Sequence, residues 1–136
     1  NADVARAVGL AASATHERIR KLQESGVVRG YRAVIDPKAV GLGLLAFAMV
    51  RTDGTEDCRA TAESLGSIPE VLEVHNVAGE DCYIVKLRAS DPEDLGRLLR
   101  ERIRRIPAVT GTRTTIVLET TKDGTALPLE RAASED

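Results

Sequence analysis

VLEVHNVAGEDCYIVKLRA, residues 71–89, holds two strand-like stretches, Val71 to Val77 and Cys82 to Ala89, on either side of the turn Ala78-Gly79-Glu80-Asp81. That pattern predicts a β-hairpin. Upstream, Thr55 followed by Glu56 and Asp57 supplies an N-cap and first-turn carboxylates for a helix running to about Gly66, with Ala62 and Leu65 inward and Pro69 preventing continuation. Before it, LLAFAMVR (44–51) is a near-continuous apolar run of strand length, which predicts a central strand buried on both faces. Downstream, Ser90-Asp91-Pro92-Glu93 spells a helix start with Ser90 as N-cap, Leu95, Leu98, Leu99, Ile103 and Ile106 form its buried stripe, and Pro107 closes it. TRTTIVL (112–118) is a last β-branched strand. The order is strand, helix, strand, strand, helix, strand, a ferredoxin-like βαββαβ domain over 44–120 with two helices on one face of a four-stranded antiparallel sheet. The other face is left bare, and pairing through it into a homodimer is the natural remedy.

Further out, ADVARAV (2–8) reads as a short helix ended by Gly9. From about Ser13 to Glu24, Thr15, Ile19 and Leu22 recur at spacings of four and three, one stripe of a second helix that Ser25-Gly26 stops. Stepping 100° per residue, the opposite side holds Ser13, Glu17, Arg20, Lys21 and Glu24, flanked by Ala14 and Arg18. VVRGYRAVI (27–35) is β-branched and basic, and reads as a strand or small hairpin leading into Asp36-Pro37. Two helices, a short turn and a basic strand give the layout of a winged helix-turn-helix over 1–36. The expected whole is α+β, with a linker at 37–43 and a polar C-terminal tail over 121–136.

Composition narrows the function classes. The chain has 136 residues, 43% of them hydrophobic and 29% charged, enough for one domain or two small ones. No apolar run approaches the ~18 residues of a membrane span and no charged-then-apolar leader opens the sequence, so no membrane partner and a cytoplasmic location are expected. Only three aromatic residues (Phe47, Tyr31, Tyr83) and no Trp argue against a base-stacking platform. Cys58 and Cys82 cannot make a four-thiolate site, and His16 and His75 are far apart, so no metal is expected. Both cysteines read as small inert hydrophobes, His16 as a solvated or phosphate-adjacent side chain. Gly41-Leu42-Gly43 lacks any phosphate-loop pattern, so no cofactor is expected; no nucleophile, His and carboxylate fall in a catalytic order, so no enzyme is expected.

The net charge of −2 hides an asymmetry. Residues 1–40 carry seven Lys/Arg against four Asp/Glu, net +3; the remainder carries twelve against seventeen, net −5. The first part is thus suited to phosphate and the second to something else. Local pattern alone leaves a rival open, a small-molecule-binding ferredoxin-like module whose N-terminal helices merely pack. Arg97, Arg100, Arg102, Arg104 and Arg105 also resemble a phosphate patch, but cations toward a helix C-terminus complement its dipole and their stems cover apolar surface.

The run GLAASATHERIRKLQESGVVRGYRAVIDPKAVG (9–41), followed by the βαββαβ pattern with VAGEDCYIVKL at its hairpin and TRTTIVL at its end, resembles the Lrp/AsnC family of feast/famine transcriptional regulators over essentially residues 2–120. The resemblance implies a winged helix-turn-helix that binds double-stranded operator DNA, and a ferredoxin-like domain that dimerises, assembles into higher oligomers such as octamers, and senses amino acids. Family units have three helices, and this chain opens inside the loop before the second, so the first is expected to be missing from it. Ser13, Ala14, Glu17, Arg18 and Lys21 are the expected groove-facing residues, with Arg29 and Arg32 on the flanking backbone. An amino acid needs donors for its carboxylate and carboxylates for its ammonium. Gly79, Glu80 and Asp81 offer close backbone approach and acidic partners, and Thr112 and Thr114 offer hydroxyls if the last strand lies alongside. Cys82 departs from the family, whose hairpin usually carries Asp there, three residues after its Gly.

Overall fold

The structure, a computed structural model, describes residues 2–130; Asn1 and residues 131–136 of the expected tail lie outside the described residues. It divides into two compact units, one ending at Ile35 and one beginning at Asp36.

The first unit contains α1 (Ala2–Val8) and α2 (Ala12–Glu24). Gly9 separates them at φ 68°, a left-handed conformation only glycine adopts without strain, and this lets Leu10 N–H return to the Ala5 carbonyl at 3.1 Å. Ala5 and Thr15 are the buried contacts between the helices. No strand forms over Val27–Ile35, which corrects the expected wing: after a turn the backbone is irregular there. Val27, Tyr31, Val34 and Ile35 are all exposed, and a β-branched run without a ladder partner or a core to lie on gains nothing from strand pairing.

The second unit opens with a short 3₁₀ turn, Lys38–Val40, and continues as β1 (Leu44–Thr52), α3 (Cys58–Gly66), β2 (Val71–Asn76), β3 (Tyr83–Ala89), α4 (Pro92–Leu98), a π turn (Leu99–Ile103) and β4 (Val109–Ile116). The sheet order is β2-β3-β1-β4 with every neighbour antiparallel, the ferredoxin-like arrangement. Alternation sorts β1 into two faces. Ala46, Ala48 and Val50 are wholly buried with Tyr83, Val85 and Leu87 of β3 under Leu65 of α3 and Leu95, Leu98 and Ile103. Each fully buried Val, Leu or Ile of this set is worth about 1.5–3 kcal/mol, so this face holds the unit together. Tyr83 is buried too, and its hydroxyl finds the Cys58 carbonyl at 2.5 Å. On the other face Leu45, Phe47 and Met49 are only half-buried, so the burial expected on both sides of β1 is complete on one.

Both helix starts lie further on than their sequence signals. Thr55 is not the cap of α3: Asp53 captures both its N–H (2.9 Å) and its hydroxyl (2.6 Å) in a turn, and Asp57 caps instead, accepting from Arg59 N–H at 3.1 Å. Likewise Asp91 rather than Ser90 caps α4, accepting from Asp94 N–H at 2.8 Å. Asp94 in return accepts from Ser90 N–H at 2.9 Å, and a cap of this kind is worth about 1 kcal/mol. A carboxylate outcompetes a hydroxyl for these amides because its bonds carry charge.

Candidate functional site

The outward side of α2 is built by period alone. Thr15 turns inward and is buried, Ile19 is half-buried, and Ser13, Glu17 and Lys21 are exposed on the opposite side, flanked by the exposed Ala14 and Arg18. Arg20, on the same face as Glu17, donates to it at 2.7 and 3.1 Å and also pairs with Glu24. The bond from Arg20 holds the Glu17 carboxyl below its ordinary pKa, so it stays ionised and tied along the helix. Arg18 and Lys21 have no carboxylate partner among the described residues, which leaves their charge available to an anion. Arg29 and Arg32 lie exposed on the irregular segment beyond the helix. The face therefore presents two short side chains, one neutralised acid and uncommitted cations.

The second candidate site is the turn between β2 and β3. Val77 N–H reaches the Cys82 carbonyl at 3.0 Å and closes a four-residue loop. Gly79 sits at φ 141°, which disfavours any side chain there, and Glu80 is exposed. Asp81, only 12% exposed, is held from two sides: Arg113 Nη2 donates to its Oδ2 at 2.8 Å, and Arg51 lies 3.7 Å from Oδ1. The two arginines are themselves mostly solvated. Met49, Arg51, Asp81, Gly111, Thr112 and Arg113 line a cavity of about 120 Å³ there. Cys82 accepts from the Thr52 hydroxyl at 3.2 Å, and its N–H bonds the Val50 carbonyl at 2.9 Å, so the departure from an acidic residue at this position is absorbed by packing on β1.

Of the two threonines expected beside this turn, Thr112 lines the cavity and Thr114 does not. Thr112 pairs with Val50 and Thr114 with Ala48, which puts both on the helix-covered side of the sheet, and the Thr114 Oγ1 is buried there without a hydrogen-bond partner among the described residues. The side chain between them, Arg113, pairs with Met49 and takes the open face with Arg51. Arg51 and Arg113 are thus the residues that sequence reading missed. Nothing in their local sequence marks them; only the register of β1 against β4 brings them together.

Among the described residues no three His, Cys, Asp or Glu side chains gather as a metal site, and no helix is long and apolar enough to cross a membrane. Residues 1–29 match a winged helix-turn-helix DNA-binding domain, and residues 45–127 match the Lrp/AsnC ligand binding domain. The chain is 41% identical to the HTH-type transcriptional regulator FL11 of Pyrococcus horikoshii, over 94% of its own length and 83% of the relative's. It is 38% identical to the regulator AldR of Mycolicibacterium smegmatis, over 88% and 71%. A transcriptional regulator from Neisseria meningitidis in complex with L-Met superposes with a TM-score of 0.88 at 29% identity, covering 94% of this chain and 84% of that one. A feast or famine regulatory protein from M. tuberculosis complexed with L-methionine gives 0.83 at 36%, covering 92% and 84%. With a ligand binding domain of this kind matched over more than half its length, the chain belongs to the Lrp/AsnC family of transcriptional regulators.

Proposed function

We propose that this regulator binds operator DNA through α2 and answers to an amino acid bound at the β2–β3 turn, which alters the assembly of its copies and with it their hold on DNA. Ser13, Ala14, Glu17, Arg18 and Lys21 face the groove, and Arg29 and Arg32 hold flanking phosphates. The observation that carries this reading is the outward face of α2, exposed and with Arg18 and Lys21 unpaired among the described residues, inside the stretch that matches a winged helix-turn-helix.

The effector part rests on Asp81. An amino acid's ammonium shares or takes over a carboxylate now held by two exposed arginines, and an arginine set free takes the ligand carboxylate, so an ion pair lost within the chain is replaced by pairs to both ends of the ligand. Gly79, Glu80, Thr112, Arg51 and Arg113 complete it. L-Met in two of the structural relatives supports an amino-acid ligand. Copies pair through the open face of the sheet into dimers and assemble further, to octamers for example, so that a ligand favouring one assembly shifts the population toward it.

The test is fluorescence anisotropy of duplex DNA titrated with the full protein across a salt series, with and without each amino acid. The Arg32→Ala variant is expected to bind all sequences more weakly and to lower the slope of log affinity against log salt by about one. Affinity and slope unchanged in that variant remove Arg32 from the interface. No DNA binding by the parent overturns the reading and leaves a small-molecule-binding module.

A further inference from the structure

We infer that the ferredoxin-like unit carries a DNA contact of its own: Arg102, Arg104 and Arg105, at and just past the end of the π turn that continues α4, form a surface for the phosphate backbone of duplex DNA. This rests on the reading that the protein binds DNA, and adds a second place where it does so.

All three guanidinium groups are exposed, and none makes a hydrogen bond or ion pair among the described residues. The cations just before them are differently placed. Arg97 pairs with Asp94, and Arg100 folds back so that its Nη1 would lie 2.9 Å from a Cβ placed at Gly96, in a hollow it shares with Asp91, Glu93, Asp94 and Glu101. Past that hollow the charge is uncompensated. Three bare positive charges within four residues stand out on a part of the chain whose net charge beyond residue 40 is −5.

The backbone that bears them is fixed. Ile103 and Ile106 are buried in the core on either side of Arg104 and Arg105, and the π turn Leu99–Ile103 is closed by Arg104 N–H on the Leu99 carbonyl at 2.9 Å. A helix C-terminus favours cations by only about 0.3–1 kcal/mol each at the surface, which explains their tolerance but not three guanidinium forks. The planar guanidinium fork of arginine, unlike the point charge of lysine, suits two-point contact with an oxyanion such as phosphate. An interface with another copy would set apolar side chains at its centre, and between Arg102 and Pro107 the two large apolar side chains, Ile103 and Ile106, are both turned inward. The chemistry left is that of a wet, charged, sequence-indifferent surface.

The experiment compares the full protein with R102Q/R104Q/R105Q and with R102K/R104K/R105K, using a mixed-sequence duplex of about 60 base pairs across a salt series. The glutamine variant is expected to lower the slope of log affinity against log salt by about two to three, equally for any sequence, while the lysine variant keeps most of it. Sedimentation velocity is run on all three. A glutamine variant with the parent's slope and affinity overturns the inference, while parental DNA binding leaves the proposed function standing. A lowered slope accompanied by changed assembly also overturns it, since the arginines would then join copies of the chain. A parent that binds no DNA at all overturns both readings.

Discussion

The carboxylate of Asp81 accepts a hydrogen bond from Arg113 at 2.8 Å, tying the β2–β3 turn to β4 across the end of the strand that separates them. These residues stand 32 positions apart, on elements that share no backbone ladder. Because Arg113 is 70% exposed, the pair is screened by water and contributes at most about 1 kcal/mol to stability. A weak, preformed ion pair at the rim of a small cavity is one a zwitterion can displace.

Asp81→Ala follows from that balance. The variant is expected to keep its fold, with a loss near 1 kcal/mol in urea unfolding, and to keep its assembly and its DNA affinity without effector. What it loses is the change in either property when the amino acid is added. A variant that responds at the parent's amino-acid concentration places the ammonium partner elsewhere.

Thr114→Val separates the two hydroxyls of β4. The Thr114 Oγ1 is buried without a hydrogen-bond partner among the described residues, so removing it relieves a desolvated polar group at nearly constant shape. Stability is expected to be unchanged or to rise by about 1 kcal/mol. If the effector carboxylate is held by Arg51 and Arg113 on the open face, calorimetric titration gives the parent affinity. A tenfold or greater loss would bring Thr114 into the site.

The βαββαβ order was legible because each element has its own period and its own stop: Gly79 in the hairpin, Pro69 and Pro107 after the helices. The polar face of α2 was legible too, since Thr15 and Ile19 turn inward as their spacing requires, whereas Leu22, placed on the same stripe, is exposed. The wing was not, because Val27–Ile35 carries strand-forming residues and a strand also needs a neighbour. The helix caps slipped because several acceptors crowd each start, and sequence does not tell which amide each will meet. Arg51 and Arg113 were hidden for a deeper reason: their meeting depends on β4 pairing with β1 with a register shift near Arg51 and Thr52, which no local pattern encodes.

Acid titration should report the cap of α4. The Ser90 N–H, and then Arg97, hold the Asp94 carboxyl below its ordinary pKa. A depressed carboxylate contributes stability that is full above its unfolded pKa, about 3.9, and is lost as pH falls through the lower folded value. Urea midpoints of the parent are therefore expected to fall more steeply below about pH 4 than those of Asp94→Asn, which has no charge to lose. Parallel curves for the two proteins would mean that Asp94 adds nothing through its ionised form.

The two faces of β1 give the sharpest contrast. Val50 is fully buried against the helices, whereas Phe47 lies on the open face, opposite Lys86 of β3 and Thr115 of β4 and beside Leu45 and Met49. Val50→Glu would place an unpaired carboxylate in the core, a cost of several kcal/mol that a unit of this size does not survive, so loss of the folded far-ultraviolet spectrum is expected. Phe47→Glu puts the same charge on a face that is only half-covered within one chain, where it can stay hydrated as long as no second sheet lies over it. The single unit should then fold while the dimer does not form. Sedimentation velocity at low micromolar concentration should show a folded monomer for Phe47→Glu and a dimer or larger species for the parent. Dimers that persist in the variant would show that copies meet through another surface, because a buried interface cannot absorb two facing, unpaired carboxylates without losing its affinity.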